Sequence, residues 1–308
     1  MKKIVINKIV LLIVALGFYF SSNAQQTPEY TQYMYNTMSI NPGYTSSIES
    51  LEANLLYRSQ WVGIDGAPKT ANFSILTPFS YDRMGIGLNI VNDKIGPANE
   101  TLVTVNYAYN VPLSEIHTLA LGVNAGAKFM HIDWSKGVRQ DNNDPYFANN
   151  ISEVKPALGF GAYFFTDNYF IGLSVPNFIK SNYYNDIQQA KATDVFHYYL
   201  IAGYVFDLTE NIKFKPSIMA KAVQGSPLSY DFSANFLFHE KFTLGIAYRI
   251  DDSISGLAGF QITNSLFIGY AYDYSTSNLS NYNHGSHEVF LKFKVFDKNS
   301  TLKSPRFF

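Results

Sequence analysis

From Leu51 to the end of the chain, apolar and polar side chains alternate with a period of two. In the first such segment Leu51, Ala53, Leu55, Tyr57, Ser59 and Trp61 share one face, and Glu52, Asn54, Leu56, Arg58 and Gln60 share the other. Further on, Val103, Val105, Tyr107, Tyr109 and Val111 oppose Thr104, Asn106, Ala108 and Asn110. Near the end Val289, Leu291, Phe293 and Val295 oppose Glu288, Lys292 and Lys294. Strand side chains point to opposite faces in turn, so each segment predicts a strand with one apolar and one polar face. The sequence holds fourteen of them, of which the stretch Ile254 to Ile262 is the weakest. Each has the length, roughly ten residues, that a tilted membrane strand requires.

A soluble sandwich also alternates, but three features separate the two cases. The apolar faces often begin or end in Tyr, Phe or Trp, as a membrane-interface girdle does. The opposite faces carry Gly, Ser, Thr, Asn and charge, a poor dry core and a good wet lumen. The connections alternate in length: short turns such as Thr166-Asp167-Asn168 and His239-Glu240 trade places with long stretches at about 132–152, 176–194 and 274–286. The prediction is an all-β fold, a transmembrane antiparallel β-barrel of about 14 strands over residues 50–296. An even count puts both chain ends on the short-turn side, the periplasm.

Composition agrees with this picture. Of 308 residues 15% are charged and 16% aromatic, with 23 Tyr and 25 Phe, while mean hydropathy stays near zero at −0.06. A helical membrane protein would be far more apolar, and no apolar run after residue 24 is long enough to span a bilayer as a helix. A chain that spans without helices must close into a barrel. The absence of Cys excludes disulfides, thiolate metal sites and thiol catalysis. Residues 1–24 read as a cleavable secretory signal, with Lys2, Lys3 and Lys8 before the apolar run Ile9 to Phe20 and Ser22-Asn23-Ala24 setting cleavage before Gln25. Its removal takes the basic count from 23 to 20 against 24 acidic residues, a net charge of −4 that argues against nucleic acid as a partner.

Two segments lie outside the barrel pattern. Residues 25–49 are polar and aromatic, and Tyr30, Gln32, Tyr33, Met34, Tyr35, Asn36, Asn41 and Pro42 make them candidates for a plug folded into the periplasmic mouth, the alternative being a disordered lead-in. Residues 297–308 form a basic tail ending in Arg306, Phe307 and Phe308, suited to docking on a periplasmic partner or back on the barrel. The long loops 132–152 and 176–194 are the candidate surface for an extracellular partner.

No catalytic constellation emerges. The six histidines, at 117, 131, 197, 239, 284 and 287, show no metal-ligand spacing with a supporting carboxylate. Asp141-Asn142-Asn143-Asp144 lacks the later Gly and terminal Glu of a calcium loop and reads as a solvated turn. No enzyme and no cofactor is expected. On the polar faces Lys213, Lys215 and Lys221 are expected to meet Asp231 from the next strand, with Arg249 following. Such charges set the anion preference of a channel or cross-pair to brace the wall, and the bracing role is favoured.

Several stretches together resemble the PorP/SprF family of outer-membrane barrels linked to type IX secretion in Bacteroidetes. They are Tyr30-Thr31-Gln32-Tyr33-Met34-Tyr35-Asn36, Ile40-Asn41-Pro42-Gly43-Tyr44, Tyr57-Arg58-Ser59-Gln60-Trp61, Gly66-Ala67-Pro68-Lys69-Thr70, Asn92-Asp93-Lys94-Ile95-Gly96-Pro97, Gly172-Leu173-Ser174-Val175-Pro176-Asn177, Gly269-Tyr270-Ala271-Tyr272-Asp273, Gly285-Ser286-His287-Glu288 and the terminus Ser304-Pro305-Arg306-Phe307-Phe308. Each is weak alone, whereas their order and spacing are specific. The resemblance implies a non-enzymatic role in export, assembly or surface attachment of type IX substrates, gliding adhesins among them. It implies as partners an adhesin-like secreted substrate, periplasmic or outer-membrane secretion components, and the lipid and lipopolysaccharide of the outer membrane. Arg58, Gln60 and Trp61 join the partner-binding or plug candidates on this basis. The competing expectation is a porin or hydrophobic-solute channel gated by the N-terminal segment.

Overall fold

The computed structural model describes residues 28–79, 83–137, 149–179, 195–224 and 226–295. The signal segment 1–24, the turn at 141–144, most of the loop 176–194 and the tail with Arg306, Phe307 and Phe308 lie outside the described residues.

The strands in chain order are β1 (Leu51–Ser59), β2 (Lys69–Phe79), β3 (Met84–Ile95), β4 (Ala98–Pro112), β5 (Thr118–Ile132), β6 (Ile151–Phe165), β7 (Tyr169–Val175), β8 (His197–Tyr204), β9 (Phe206–Thr209), β10 (Ile212–Val223), β11 (Ser229–Phe238), β12 (Phe242–Arg249), β13 (Ser253–Gln261), β14 (Leu266–Ser275) and β15 (Ser286–Val295). β8 and β9 are two halves of one barrel strand. Between them the Val205 N–H turns to the carbonyl of Asn168 at 2.7 Å, yet the register on β10 carries straight across, from Gly203 opposite Ser217 to Phe206 opposite Phe214. With those halves merged there are fourteen barrel strands, each antiparallel to its chain neighbour. β15 pairs with β1 and β10 with β11, so the sheet closes on itself and leaves no continuous free edge.

The side-chain period sets which face is which. Along β1, Glu52, Asn54, Leu56 and Arg58 are buried while Leu55 and Tyr57 are exposed. The same inversion holds around the ring: Ile246 on β12 and Leu173 on β7 are 66% and 58% exposed, while Lys215, Asn235 and Glu288 are buried. Apolar groups outside and polar groups inside are the reverse of a soluble core and match a barrel bathed in lipid. At the short-connection end the outer face carries a run of touching aromatic rings, Phe164, Tyr169, Tyr204, Phe206, Phe214, Phe236, Phe238 and Phe242, with neighbouring centroids between 4.4 and 6.4 Å apart. Such a belt suits the headgroup boundary, where a flat ring covers apolar surface at one side and tolerates water at the other.

β1 starts and β15 ends at that short-connection end. The opposite rim is laced by its loops: Val62 N–H donates to the Gly285 carbonyl (2.9 Å), His284 N–H to Val62 (2.7 Å) and Gly96 N–H to Gly66 (2.9 Å). Trp61, placed by the alternation on the outer face of the first strand, instead sits in this lacing. β1 ends at Ser59, and Trp61 takes a left-handed backbone (φ 47°) with its N–H donated to the Ser286 hydroxyl at 3.1 Å. Gln60 closes the same connection, its N–H bonded to the Pro68 carbonyl at 3.0 Å.

Candidate functional site in the barrel bore

Residues 30–48 are buried although they belong to no strand, apart from the half-buried Ser39. Wall backbone groups are largely committed to the strand ladders, so a segment inside a barrel must satisfy many of its own, wall side chains such as Glu288 and Ser174 meeting others. It does so by successive tight turns. Tyr35 N–H donates to the Gln32 carbonyl and Asn36 N–H to Tyr33 (3.0 and 3.1 Å). A 3-10 turn follows at Thr37–Ser39 and another at Pro42–Ser46. The second is started by Asn41, whose side-chain oxygen accepts from Gly43 N–H (2.9 Å), with Pro42 in the first-turn position where its missing donor costs nothing.

The segment touches the wall around most of its circumference and along most of its height. Near the long-connection rim Glu29 reaches β10 and β12. Its carboxylate binds the Lys221 ammonium and, at 3.0 Å, the Arg249 guanidinium, which also holds Asp231 at 2.9 Å and Asp252 at 3.3 Å. One step deeper, the Glu288 carboxylate accepts the main-chain N–H of Thr31 and Gln32 at 3.0 and 2.8 Å. Arg58 bridges Glu288 (3.2 Å) and Asp273 (2.6 Å) and donates to the Thr31 hydroxyl at 2.9 Å. Buried charges cost several kcal/mol each unless paired, so these networks fix position more than they add net stability.

Further down, Tyr35 packs against Phe267 and Phe290, with centroids at 5.0 and 5.3 Å, and the two Phe rings lie 6.5 Å from each other, so the three form one cluster. Asn36 donates to Asn72, which donates on to Asn89 (2.9 and 2.7 Å). Toward the short-connection end the contact becomes backbone against backbone. A Cβ added at inward-facing Gly122 would stand 2.3 Å from the Gly43 nitrogen, and one at Gly85 2.2 Å from the Thr45 carbonyl oxygen. Only glycine lets two chains approach this closely. Ser46 and Asn110 exchange two bonds of 2.7 Å there, and Asn41 donates to the Ala162 carbonyl at 3.1 Å.

The sequence-predicted residues therefore divide. Tyr30, Gln32, Tyr33, Met34, Tyr35, Asn36, Asn41, Pro42 and Arg58 come together in the bore. Gln60 and Trp61 do not; they belong to the rim. The segment is not confined to the short-connection mouth, where it was expected, but runs from the long-connection rim, where Glu29 meets Lys221 and Arg249, down to the start of β1, where Ser46 meets Asn110. Lys221, Asp231 and Arg249 join as expected. Lys213 and Lys215 do not reach Asp231: the register sets Asp231 opposite Met219, six residues along β10 from Lys213. Lys213 instead lies 3.7 Å from Glu240 and 4.0 Å from Asp207, and Lys215 lies over the Phe170 ring at 5.0 Å.

Sequence reasoning missed Glu29, Thr31, Asp273, Gly85 and Gly122 as members of this site. Gly85 and Gly122 carried a usable signal, since glycine recurs on polar, inward faces where a wall needs depth. Glu29 carried none, for it stands in no period. Among the described residues no group of His, Asp and Glu is placed to hold a metal ion. Ser–His contacts occur at Ser114–His117 (2.7 Å) and His131–Ser152 (2.8 Å), both on exposed surface. The first is part of a turn in which Ser114 also accepts from the N–H of His117 at 3.2 Å.

The sequence matches the family described as type IX secretion system membrane protein PorP/SprF over residues 22–293. No curated protein matches it. Among solved structures it is similar to the toluene transporter TbuX of Ralstonia pickettii, at 9% identity, over 84% of this chain and 92% of that one, with a TM-score of 0.52. It is also similar to the CymD monoaromatic hydrocarbon channel, at 11% identity, over 85% and 93% of the two chains, with a TM-score of 0.51. At such identities the likeness is one of fold, that of an outer-membrane barrel.

Proposed function

This chain belongs to the PorP/SprF family of type IX secretion system membrane proteins, and we propose that within that system it is a non-enzymatic contact protein of the outer membrane. In this role it supports the export, assembly or surface attachment of secreted, adhesin-like substrates by binding them and other secretion components. The observation that carries the proposal is the occupied bore. Residues 30–48 lie buried within the barrel and are bonded to the wall from Glu288 near one rim to Asn110 near the other, which supports a lumen given over to the segment and not to a solute. A barrel so filled offers partners its rims and loops rather than its lumen. By the usual rule for such barrels the long connections face outward and the short turns face the periplasm, so the laced rim is the surface for a secreted partner.

The test is a gentle-detergent pull-down of the tagged protein from native outer membranes, read by mass spectrometry. Stoichiometric recovery of a secreted substrate or a type IX component supports the role. A partner-free barrel that conducts ions in planar bilayers would overturn it in favour of a channel.

A further inference from the structure

The two halves of the N-terminal segment are held by different physics. Residues 42–46 are wedged against the wall at Gly85 and Gly122, where an added Cβ would stand 2.2 and 2.3 Å from their backbone. Residues 29–36 are held as a bound peptide is held. Glu288 accepts two consecutive main-chain N–H groups, a contact that reads backbone and not side chain. Lys221 and Arg249 cradle a carboxylate. Phe267 and Phe290 present adjoining rings against which one aromatic ring packs. The outer end of this half is also the more open one: Pro28 and Glu29 are half-buried, and every residue from Tyr30 to Met38 is buried. When Glu29 leaves, Arg249 keeps Asp231 and Asp252, while Lys221 gives up its carboxylate partner and with it a charge that an incoming carboxylate would restore.

We infer that this stretch of the bore wall is a peptide-binding site, filled in cis by residues 29–36 and able to take in trans an extended partner segment that carries a carboxylate and, six residues later, an aromatic ring. The cis arm peels from the long-connection rim and turns about residues 37–41, while residues 42–46 stay wedged and keep the bore shut. The inference rests on the contact-protein role for the existence of a partner, but not for the existence of the site.

The probe is a fluorescent nonapeptide with the sequence of residues 28–36. It is titrated by anisotropy into the detergent-solubilised full chain, unaltered and as the double variant Glu29→Ala, Tyr35→Ala, whose changes lie on the arm and leave the wall intact. The expected result is saturable binding to the variant, at least about tenfold tighter than to the unaltered chain, where the cis arm competes. Peptides carrying Glu29→Gln or Tyr35→Ala should each bind about tenfold more weakly, and added salt should weaken the parent peptide. No binding to a variant that still migrates as a folded barrel overturns the inference. So does equal binding to both chains, or equal binding of a scrambled peptide. Should the double variant fail to fold, Glu29→Ala alone is compared in the same way. A failed titration removes the site and leaves the pull-down standing; a failed pull-down removes the contact role and leaves the site.

Discussion

Replacing Gly122 by Ala adds one methyl group at the tightest contact between wall and segment. The new carbon would lie 2.3 Å from both the Gly43 nitrogen and the Pro42 carbonyl carbon, and 2.5 Å from the Pro42 oxygen. An ordinary contact needs about a further 1 Å. β5 is locked by its ladders to β4 and β6 over fifteen paired residues on each side, so the segment must give way and not the wall. A shift of that size stretches the two Ser46–Asn110 bonds, both 2.7 Å, beyond hydrogen-bond range. Each is worth about 1 kcal/mol, and the overpacking itself costs about 1–3 kcal/mol. The seating of the segment should therefore weaken by about 3–5 kcal/mol.

The assay has two readouts, the temperature at which the folded band is lost on semi-native gels and ion conductance in planar bilayers. Gly122→Ala should lower the first and raise the second, whereas Gly256→Ala, where an added Cβ meets nothing within 4 Å, should change neither. A Gly122→Ala protein as stable and as silent as the unaltered chain would refute the claim that the glycine wall seats the segment.

Arg58→Ala should destabilise the barrel by about 3–5 kcal/mol, because it strands Asp273 and Glu288 without their shared cation, and Arg58→Lys should recover part of that loss in the same gel assay. Ile246→Arg places a cation on the outer face at a position 66% exposed; it should cost about 2–4 kcal/mol in lipid vesicles, and a neutral result there would contradict a lipid-facing surface. Asp133, in the rim turn after β5, is held down to about 2 by the Ser135 hydroxyl and by Lys136. Its contribution is present above the ordinary carboxylate range and is lost only as pH falls through about 2. Because its partners Ser135 and Lys136 are exposed and share its own turn, Asp133→Asn should leave the melting behaviour at neutral pH within the small range of surface substitutions.

The barrel was legible because each of its strands obeys one short rule, alternation, that a membrane enforces without exception: an outward polar residue meets lipid. Strand number survived even the break at Val205, since Phe206 keeps the face that Tyr204 and Ala202 hold. The bore was legible only in part. Tyr, Met and Asn at 30–36 announced burial, but not its depth, because no local pattern encodes which wall residues lie at which height. That height is set by register. Lys213 and Lys221 share a strand and a face, yet eight residues of rise send one to Glu240 at the short-connection end and the other to Glu29 at the long-connection end.

Register also explains how the lumen charges pair. Arg249 lies directly opposite Asp231 across one ladder, and Lys292 directly opposite Asn54, one step from Glu52, which it meets at 3.2 Å. A selectivity ring would need one sign of charge around a single open height. Here Arg249 and Lys292 find carboxylates on an adjacent strand, Arg58 finds one on β15 and one on β14 beyond it, and Lys221 and Arg249 meet Glu29 of the N-terminal segment, so the segment becomes part of the wall's own electrostatics. Removing Glu29 leaves Arg249 with two carboxylates, whereas removing Arg58 leaves two carboxylates with no cation between them. Loss of the arm also takes the carboxylate from one buried cation, Lys221, whereas loss of Arg58 takes the cation from two buried carboxylates, so the wall residue is the costlier of the two to remove.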